Sequence, residues 1–414
     1  MVAAAIVLIA GCGGGSGGSS GTGGVAGPVD GGGAAGTDAS PLAENVVAVT
    51  VDPGPPGTAN VNGLFTTVTL CVPGTTQCQT FDHILVDTGS VGMRVLASEV
   101  TLPLPAARTA DGQRLVECLP FVLGTAWGPL ATADVKVGGE AAPNLPIQLI
   151  GDPTYPIPTA CTGSPVTDLQ SLLAKGILGV GVTLQDCGSA CAQPATSPNN
   201  PGLYYGCGST ASSCSVVAVP VANQIVHPVA AFPADNNGTV ITLPAIAAGG
   251  SAIVQGTMTF GIGTRANNGL GSATVLPLDR AGLATTTFPV NGKAYLSYVD
   301  SGSNGLYFLD GATTGLQPCS TPLDGFYCPP AAVALGAVLS ATNGARAMVS
   351  FSVANAGKLS AANSAFNDLA GDMPGFTMDP TSPGFDWGMP FFFGRSIYTA
   401  IENRGTPSGP YFAF

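Results

Sequence analysis

The sequence predicts an all-β protein built as two related lobes facing each other across a cleft. Three observations predict it: short β-branched runs broken by turn residues, one Asp-centred motif that occurs twice, and enough chain for two cores. The 414 residues exceed the roughly 100–200 of a usual single domain. Runs at 46–51, 64–70, 83–86 and 135–137 alternate with stretches rich in Gly and Pro, the pattern of short strands joined by turns. Helical periodicity is confined to 167–175 and 357–368.

The repeat carries the chemistry. Ile84-Leu85-Val86-Asp87-Thr88-Gly89-Ser90 has its counterpart in Leu296-Ser297-Tyr298-Val299-Asp300-Ser301-Gly302-Ser303. A second landmark follows each: Ile177-Leu178-Gly179 ends 92 residues after Asp87, and Phe392-Phe393-Gly394 ends 94 after Asp300. Ordered landmarks at matched spacing point to duplicated lobes. An Asp that activates water must be held rigidly by nearby donors. Gly89 and Gly302 allow close backbone approach. Thr88 and Ser301 can bond across the lobe interface, and Ser90 and Ser303 can donate to the outer carboxylate oxygens. Two such carboxylates face to face cannot both ionise, so they share one proton.

Composition excludes several other classes. The net charge is −12, the pI is near 4.3, and the first basic residue is Arg94. Such a surface repels nucleic acid and gives no electrostatic dock on anionic lipid. HExxH does not occur, and GxSxG occurs only inside the low-complexity Gly/Ser stretch, at 14–18 and 17–21. His83, in an expected strand, and His227, before Pro228, read as structural, so no metal and no cofactor are expected. Asp82, Asp111, Asp152 and Asp310 read as turn or surface residues. Asp235-Asn236-Asn237-Gly238 reads as a hairpin turn rather than a calcium loop. The glycines of Phe260-Gly261-Ile262-Gly263-Thr264 do not fit a nucleotide fold.

The N-terminus reads as an address. Residues 1–11 look like a signal peptide whose Ile9-Ala10-Gly11-Cys12 resembles a bacterial lipobox, with Cys12 as the lipidated residue. Gly13 after it implies an outer-membrane destination in a cell with two membranes. Residues 12–43 are a Gly/Ser-rich tether, followed by lobes at 44–217 and 218–414. Ten further cysteines suit disulfides in an exported chain. Proximity suggests Cys71–Cys78, Cys118–Cys161, Cys187–Cys191, Cys207–Cys214 and Cys319–Cys328, although sequence does not determine connectivity. The stretch from Cys187 to Cys214 reads as a stapled surface excursion.

The two Asp loops resemble the active-site loops of pepsin-like aspartic proteinases, and the resemblance runs along most of 45–414. Residues 65–70 look like the strand leading to the first loop, and 175–181 like the apolar-apolar-Gly segment behind it. Phe392-Phe393-Gly394 with 397–401 looks like its C-terminal equivalent. More closely, the chain resembles little-characterised pepsin-like lipoproteins of bacteria. The resemblance implies a bilobal pepsin-like fold and catalysis by Asp87 and Asp300. Phe121 falls where the family carries a flap Tyr, and Arg94 where it carries the partnering Trp, which leaves Trp127 to close over the cleft. The C-terminal Gly-to-Tyr segment is several residues shorter than the family's. No basic pro-segment precedes Arg94.

The resulting expectation is an extracytoplasmic, monomeric aspartic endopeptidase of the cell envelope, taking polypeptide into its cleft and touching membrane only through its lipidated N-terminus. The rival is a non-catalytic surface-binding or adhesion lipoprotein on the same fold. A structural envelope lipoprotein is a third reading.

Overall fold

The computed structural model describes residues 42–121, 124–208, 213–373 and 383–414. The expected signal peptide, Cys12 and nearly all of the tether lie outside them. The protein is nearly all β, with one 16-stranded and one 7-stranded sheet.

The first strand, Val46–Asp52, buries Val47, Val49 and Val51 on one face, the period-2 alternation of a half-covered strand. It joins the two halves of the chain. On one side it pairs antiparallel with Gly63–Cys71, and on the other with Val254–Phe260 of the second half. The large sheet therefore continues through Gly238–Leu243 and Arg395–Ala400 without a break between lobes.

Each lobe then delivers one Asp from a strand with a parallel partner. Cys78–Asp87 is buried over its last four residues and pairs parallel with Gly176–Val180. Ala294–Val299 pairs parallel with Pro383–Trp387. Strands covered on both faces tend to be continuously apolar, as Ile84-Leu85-Val86 is before Asp87. The second strand is continuously buried only over its last three residues, Ser297 among them.

Register corrects one sequence landmark. Asp87 stands opposite Gly179. In the second lobe Val299 stands opposite Trp387, and the Asp300 N–H donates to the Trp387 carbonyl at 3.1 Å. The counterpart of Leu178-Gly179 is therefore Trp387-Gly388. Phe391, Phe392 and Phe393 are core, and Gly394, at φ 76°, turns the chain into Arg395–Ala400.

Three local expectations also change. The 167–175 helix is a single turn, Leu169–Leu172, capped by Asp168. Residues 357–368 hold only a 3₁₀ turn at Ala356–Lys358, because the backbone of 364–366 bonds instead to Asn62 and Ser251. Asp235 to Gly238 is a corner rather than a hairpin. Asn237 clamps the Ile262 backbone through both N–H and carbonyl, and Asp235 accepts from Thr264 and Arg265.

The excursion from Cys187 to Cys214 has a larger role than its composition implied. Its strand Tyr204–Cys207 pairs with Arg114–Phe121, one arm of the hairpin whose other arm is Gly124–Val137. Cys214–Val216 adds a further strand outside it. The hairpin over the cleft is thus braced along its outer edge. All five pairings proposed from proximity are the disulfides of the structure. Among the described residues no helix is long and apolar enough to cross a membrane.

Cys118–Cys161 closes the longest loop, 43 residues. Replacing both cysteines by Ser is expected to cost about 3–4 kcal/mol from the added freedom of the unfolded chain, measured by urea unfolding under non-reducing conditions. Replacing Cys187 and Cys191, only 4 apart, should cost less.

Candidate active site

The two parallel pairs bring the ends of their Asp strands to one place. Asp87 and Asp300 are both fully buried. Each is held within its own loop in the same way. The Gly89 N–H donates to Asp87 Oδ1 at 2.8 Å, and the Ser90 hydroxyl donates to Oδ2. The Gly302 N–H donates to Asp300 Oδ1 at 2.7 Å, and the Ser303 hydroxyl to Oδ2 at 2.9 Å.

Between the loops the bonding is reciprocal. The Thr88 hydroxyl donates to the Val299 carbonyl at 3.0 Å and accepts from the Ser301 N–H at 2.9 Å. The Ser301 hydroxyl donates to the Val86 carbonyl at 2.7 Å and accepts from the Thr88 N–H at 3.1 Å. Each carboxyl also lies over the other loop's glycine. A Cβ on Gly89 would stand 2.6 Å from Asp300 Cγ, and one on Gly302 would stand 2.7 Å from Asp87 Oδ1.

Burial pushes the Asp300 carboxyl well above the usual range, and the carboxyls of Asp87 and Asp386 push it further. Backbone donation from Gly302 opposes them without prevailing. Burial and the facing carboxyls therefore favour the protonated form of Asp300.

The chain matches, over residues 41–414, the family model described as Protein of unknown function (DUF3443). The chain belongs to this family. No curated protein matches it. Among solved structures it is similar to an aspartic proteinase from Irpex lacteus, at 14% identity and a TM-score of 0.51, over 89% of this chain and 96% of that one. At that identity the likeness shows the fold: this DUF3443 member has the bilobal, all-β pepsin-like architecture.

The flap side of the site departs from the expectation. Arg94 is wholly buried and ion-pairs with Glu117 at 3.0 Å and Asp186 at 3.4 Å. It also donates to the Val91 carbonyl at 2.6 Å. The Tyr204 hydroxyl donates to Asp186 at 2.7 Å and accepts from the Ile225 N–H at 2.9 Å. Burial and the neighbouring Glu117 carboxyl push Asp186 well up despite Arg94. Glu117 sits on the flap arm Arg114–Phe121, and Arg94 seven residues past Asp87. The cluster thus ties the flap to the first Asp loop.

Phe121 packs into a satellite core with Phe65, Leu85 and Ile177. Trp127, expected over the cleft, is buried elsewhere. Its indole N–H donates to the Tyr155 carbonyl at 2.7 Å, and its ring meets Tyr205 edge-on. The excursion strand carrying Tyr205 supplies that packing, which the local sequence of the flap does not reveal.

Sequence reasoning missed Glu117, Asp186, Tyr204 and Asp386. The signal for Asp386 was a lone carboxyl inside the apolar run Phe385-Asp386-Trp387. The signal for Glu117 was the same kind of break in Leu115-Val116-Glu117-Cys118.

Both histidines are structural, as their sequence context implied. His83 lies between Asp52 and Asp82 at 3.5 and 3.3 Å. His227 is buried against the Gly181 carbonyl at 3.0 Å through Nε2, which its partner assigns as the protonated nitrogen, and Nδ1 accepts from the Ala230 N–H at 3.4 Å. Gly181 in turn donates to the Ser90 carbonyl at 2.9 Å, so His227 props the first Asp loop from behind.

Burial lowers the His227 pKa to about 4. Between there and the unfolded value of about 6.5, the unfolded chain binds a proton that the folded chain refuses, so stability falls as pH drops through this window. The full loss is roughly 3 kcal/mol. His227→Gln, which keeps a donor and an acceptor, is expected to remove this contribution, so that the variant gains stability relative to wild type as pH drops from about 6.5 to 4. An unchanged slope would assign the acid loss elsewhere. Gly302→Ala is expected to push the Asp87 carboxylate out of place and destabilise the fold by about 1–3 kcal/mol, read by thermal unfolding. Gly269→Ala, where a Cβ meets nothing within 4 Å and φ is outside the left-handed region as at Gly302, controls for the substitution itself.

Proposed function

We propose that this protein is an extracytoplasmic aspartic endopeptidase that hydrolyses extended polypeptide with a water activated by Asp87 and Asp300. One observation carries the reading: each of the two carboxyls is seated on the other loop's glycine, with reciprocal Thr88 and Ser301 bonds locking the seats. A pair so placed can grip one water from both sides. Asp300, driven to hold its proton by burial and its acidic neighbours, polarises the scissile carbonyl. Asp87 takes the proton of the attacking water, and the resulting tetrahedral intermediate collapses as the leaving amine is protonated. The Phe121 hairpin is the element that must lift for a substrate to enter. Five disulfides fit an oxidising compartment, and anchorage through a lipidated Cys12 completes the proposal.

One observation favours a second reading. Neither Asp87 nor Asp300 has exposed surface, and a flap cross-tied by buried charges resists lifting. On that reading the chain is a non-catalytic binding lipoprotein of the cell surface. The two readings separate on a peptide library incubated between about pH 3 and 7 with wild type, Asp87→Asn and Asp300→Asn. The endopeptidase reading expects cleavage by wild type, inhibition by a statine-type peptide, and a loss of roughly 10²–10⁴-fold in either variant. Equal cleavage by all three proteins would sink the mechanism. Absence of cleavage would favour the binding reading.

A further inference from the structure

Directly behind the pair lies a third buried carboxyl. Asp386 is wholly buried on the strand Pro383–Trp387. That strand runs between the Asp300 strand and the strand Leu306–Phe308, so Asp386 stands in register with Tyr298 on one side and Tyr307 on the other. Among the described residues neither of its carboxyl oxygens has a partner in strict hydrogen-bonding geometry, although the Ser303 hydroxyl lies near enough to favour its charged form.

The first lobe shows what a purely structural residue looks like at this position. There Ile177 stands opposite Leu85 on one side and Arg94 on the other, and it too is wholly buried. An aliphatic side chain fills that place without desolvating a polar group. A carboxyl whose oxygens are not fully hydrogen-bonded carries a desolvation cost in the same setting. The second lobe carries that cost beside the reacting pair.

We propose that Asp386 is a positioning residue of the reaction: a third carboxyl, set behind Ser303 and Asp300, whose charge competition keeps Asp300 in its acid form. This rests on the aspartic proteinase reading. The groups that face it support the assignment. Asp87 comes from the first loop, and Asp300 and Ser303 from the second. Tyr298 and Tyr307 flank it, and both phenols are pushed well up by burial and by Asp386 itself. Asp372 acts on Tyr307 from beyond. No cation is among the groups acting on Asp386. Burial pushes its carboxyl well above the usual range, Asp87 adds to this, and the Ser303 hydroxyl opposes them. Asp300 and Asp386 therefore titrate as a coupled pair. Once one has lost its proton, the other is harder to ionise, so Asp300 is found protonated at higher pH than it would be alone.

Two variants test this on the intact chain. Asp386→Asn removes the titration and keeps the shape, and Asp386→Leu reproduces the apolar packing of the first lobe. Infrared difference spectra across pH read protonated carboxyls without reference to activity. The expected result is the loss of one protonated-carboxyl band in both variants, with the remaining band disappearing at lower pH than in wild type. In peptide cleavage, kcat/KM should fall about tenfold on the alkaline limb and change little near about pH 4. If the remaining band titrates as in wild type, or the alkaline limb does not move in a folded variant, Asp386 is a packing residue and the proposal fails. If wild type cleaves nothing, the proteinase reading fails, and the infrared coupling alone decides whether Asp386 governs Asp300.

Discussion

Two acids forced together in a dry site set the conditions for the rest of this structure. At an effective dielectric of about 20, two full negative charges roughly 3 Å apart repel by about 5–6 kcal/mol. The four bonds between the Thr88 and Ser301 loops contribute only about 0.5–1.5 kcal/mol each. Such bonds position the pair but do not comfortably hold it doubly ionised, so one proton has to stay. The neutral hydroxyls and backbone amides around each carboxylate direct lone pairs without adding a countercharge. A cation there would have fixed both acids in the ionised form and removed the acid partner. The two strand ends belong to different sheets, Cys78–Asp87 to the large one and Ala294–Val299 to the seven-stranded one, so the bonds between the Thr88 and Ser301 loops are what join them directly.

The flap is held by different physics. Arg94, Glu117, Asp186 and Tyr204 bury four polar side chains around Arg94, the position at which the sequence departs from the aromatic pair of the family it resembles. A buried ion cluster adds little net stability compared with apolar packing, yet breaking it by removing one member costs about 3–5 kcal/mol. It therefore favours one arrangement over neighbouring ones more than it strengthens the fold. The strands Tyr204–Cys207 and Cys214–Val216 make this possible: they cover the outer edge of Arg114–Phe121 and exclude water from Glu117. The hairpin is consequently a braced, charge-tied element rather than a free ribbon.

Much of the site was legible because it is local. Asp87 to Ser90 and Asp300 to Ser303 carry donors, acceptor and glycine within four consecutive residues, and sequence records adjacency directly. The disulfides were legible for the same reason, four of the five joining cysteines fewer than ten residues apart. Asp386 was not legible, because its importance is a matter of register. Only when Tyr298 and Tyr307 are paired with it does it stand where Ile177 stands in the other lobe. Phe392-Phe393-Gly394 offered the expected letters at nearly the expected spacing, and only strand pairing distinguishes it from Trp387-Gly388. The bracing strands escaped because Tyr204–Cys207 is four residues long and acquires its partner from ninety residues earlier in the chain.

The buried titratable groups also oppose one another across the acid range. His227, lowered to about 4, withdraws stability as pH falls below about 6.5. Asp186, Asp300 and Asp386 are raised by burial and by neighbouring carboxylates. The folded chain keeps their protons above the pH at which the unfolded chain releases them, so their contribution is fully present in acid and is lost as pH rises through their folded values. The two kinds of group therefore pull the pH dependence of stability in opposite directions, and only the difference between wild type and His227→Gln isolates the histidine from the buried acids.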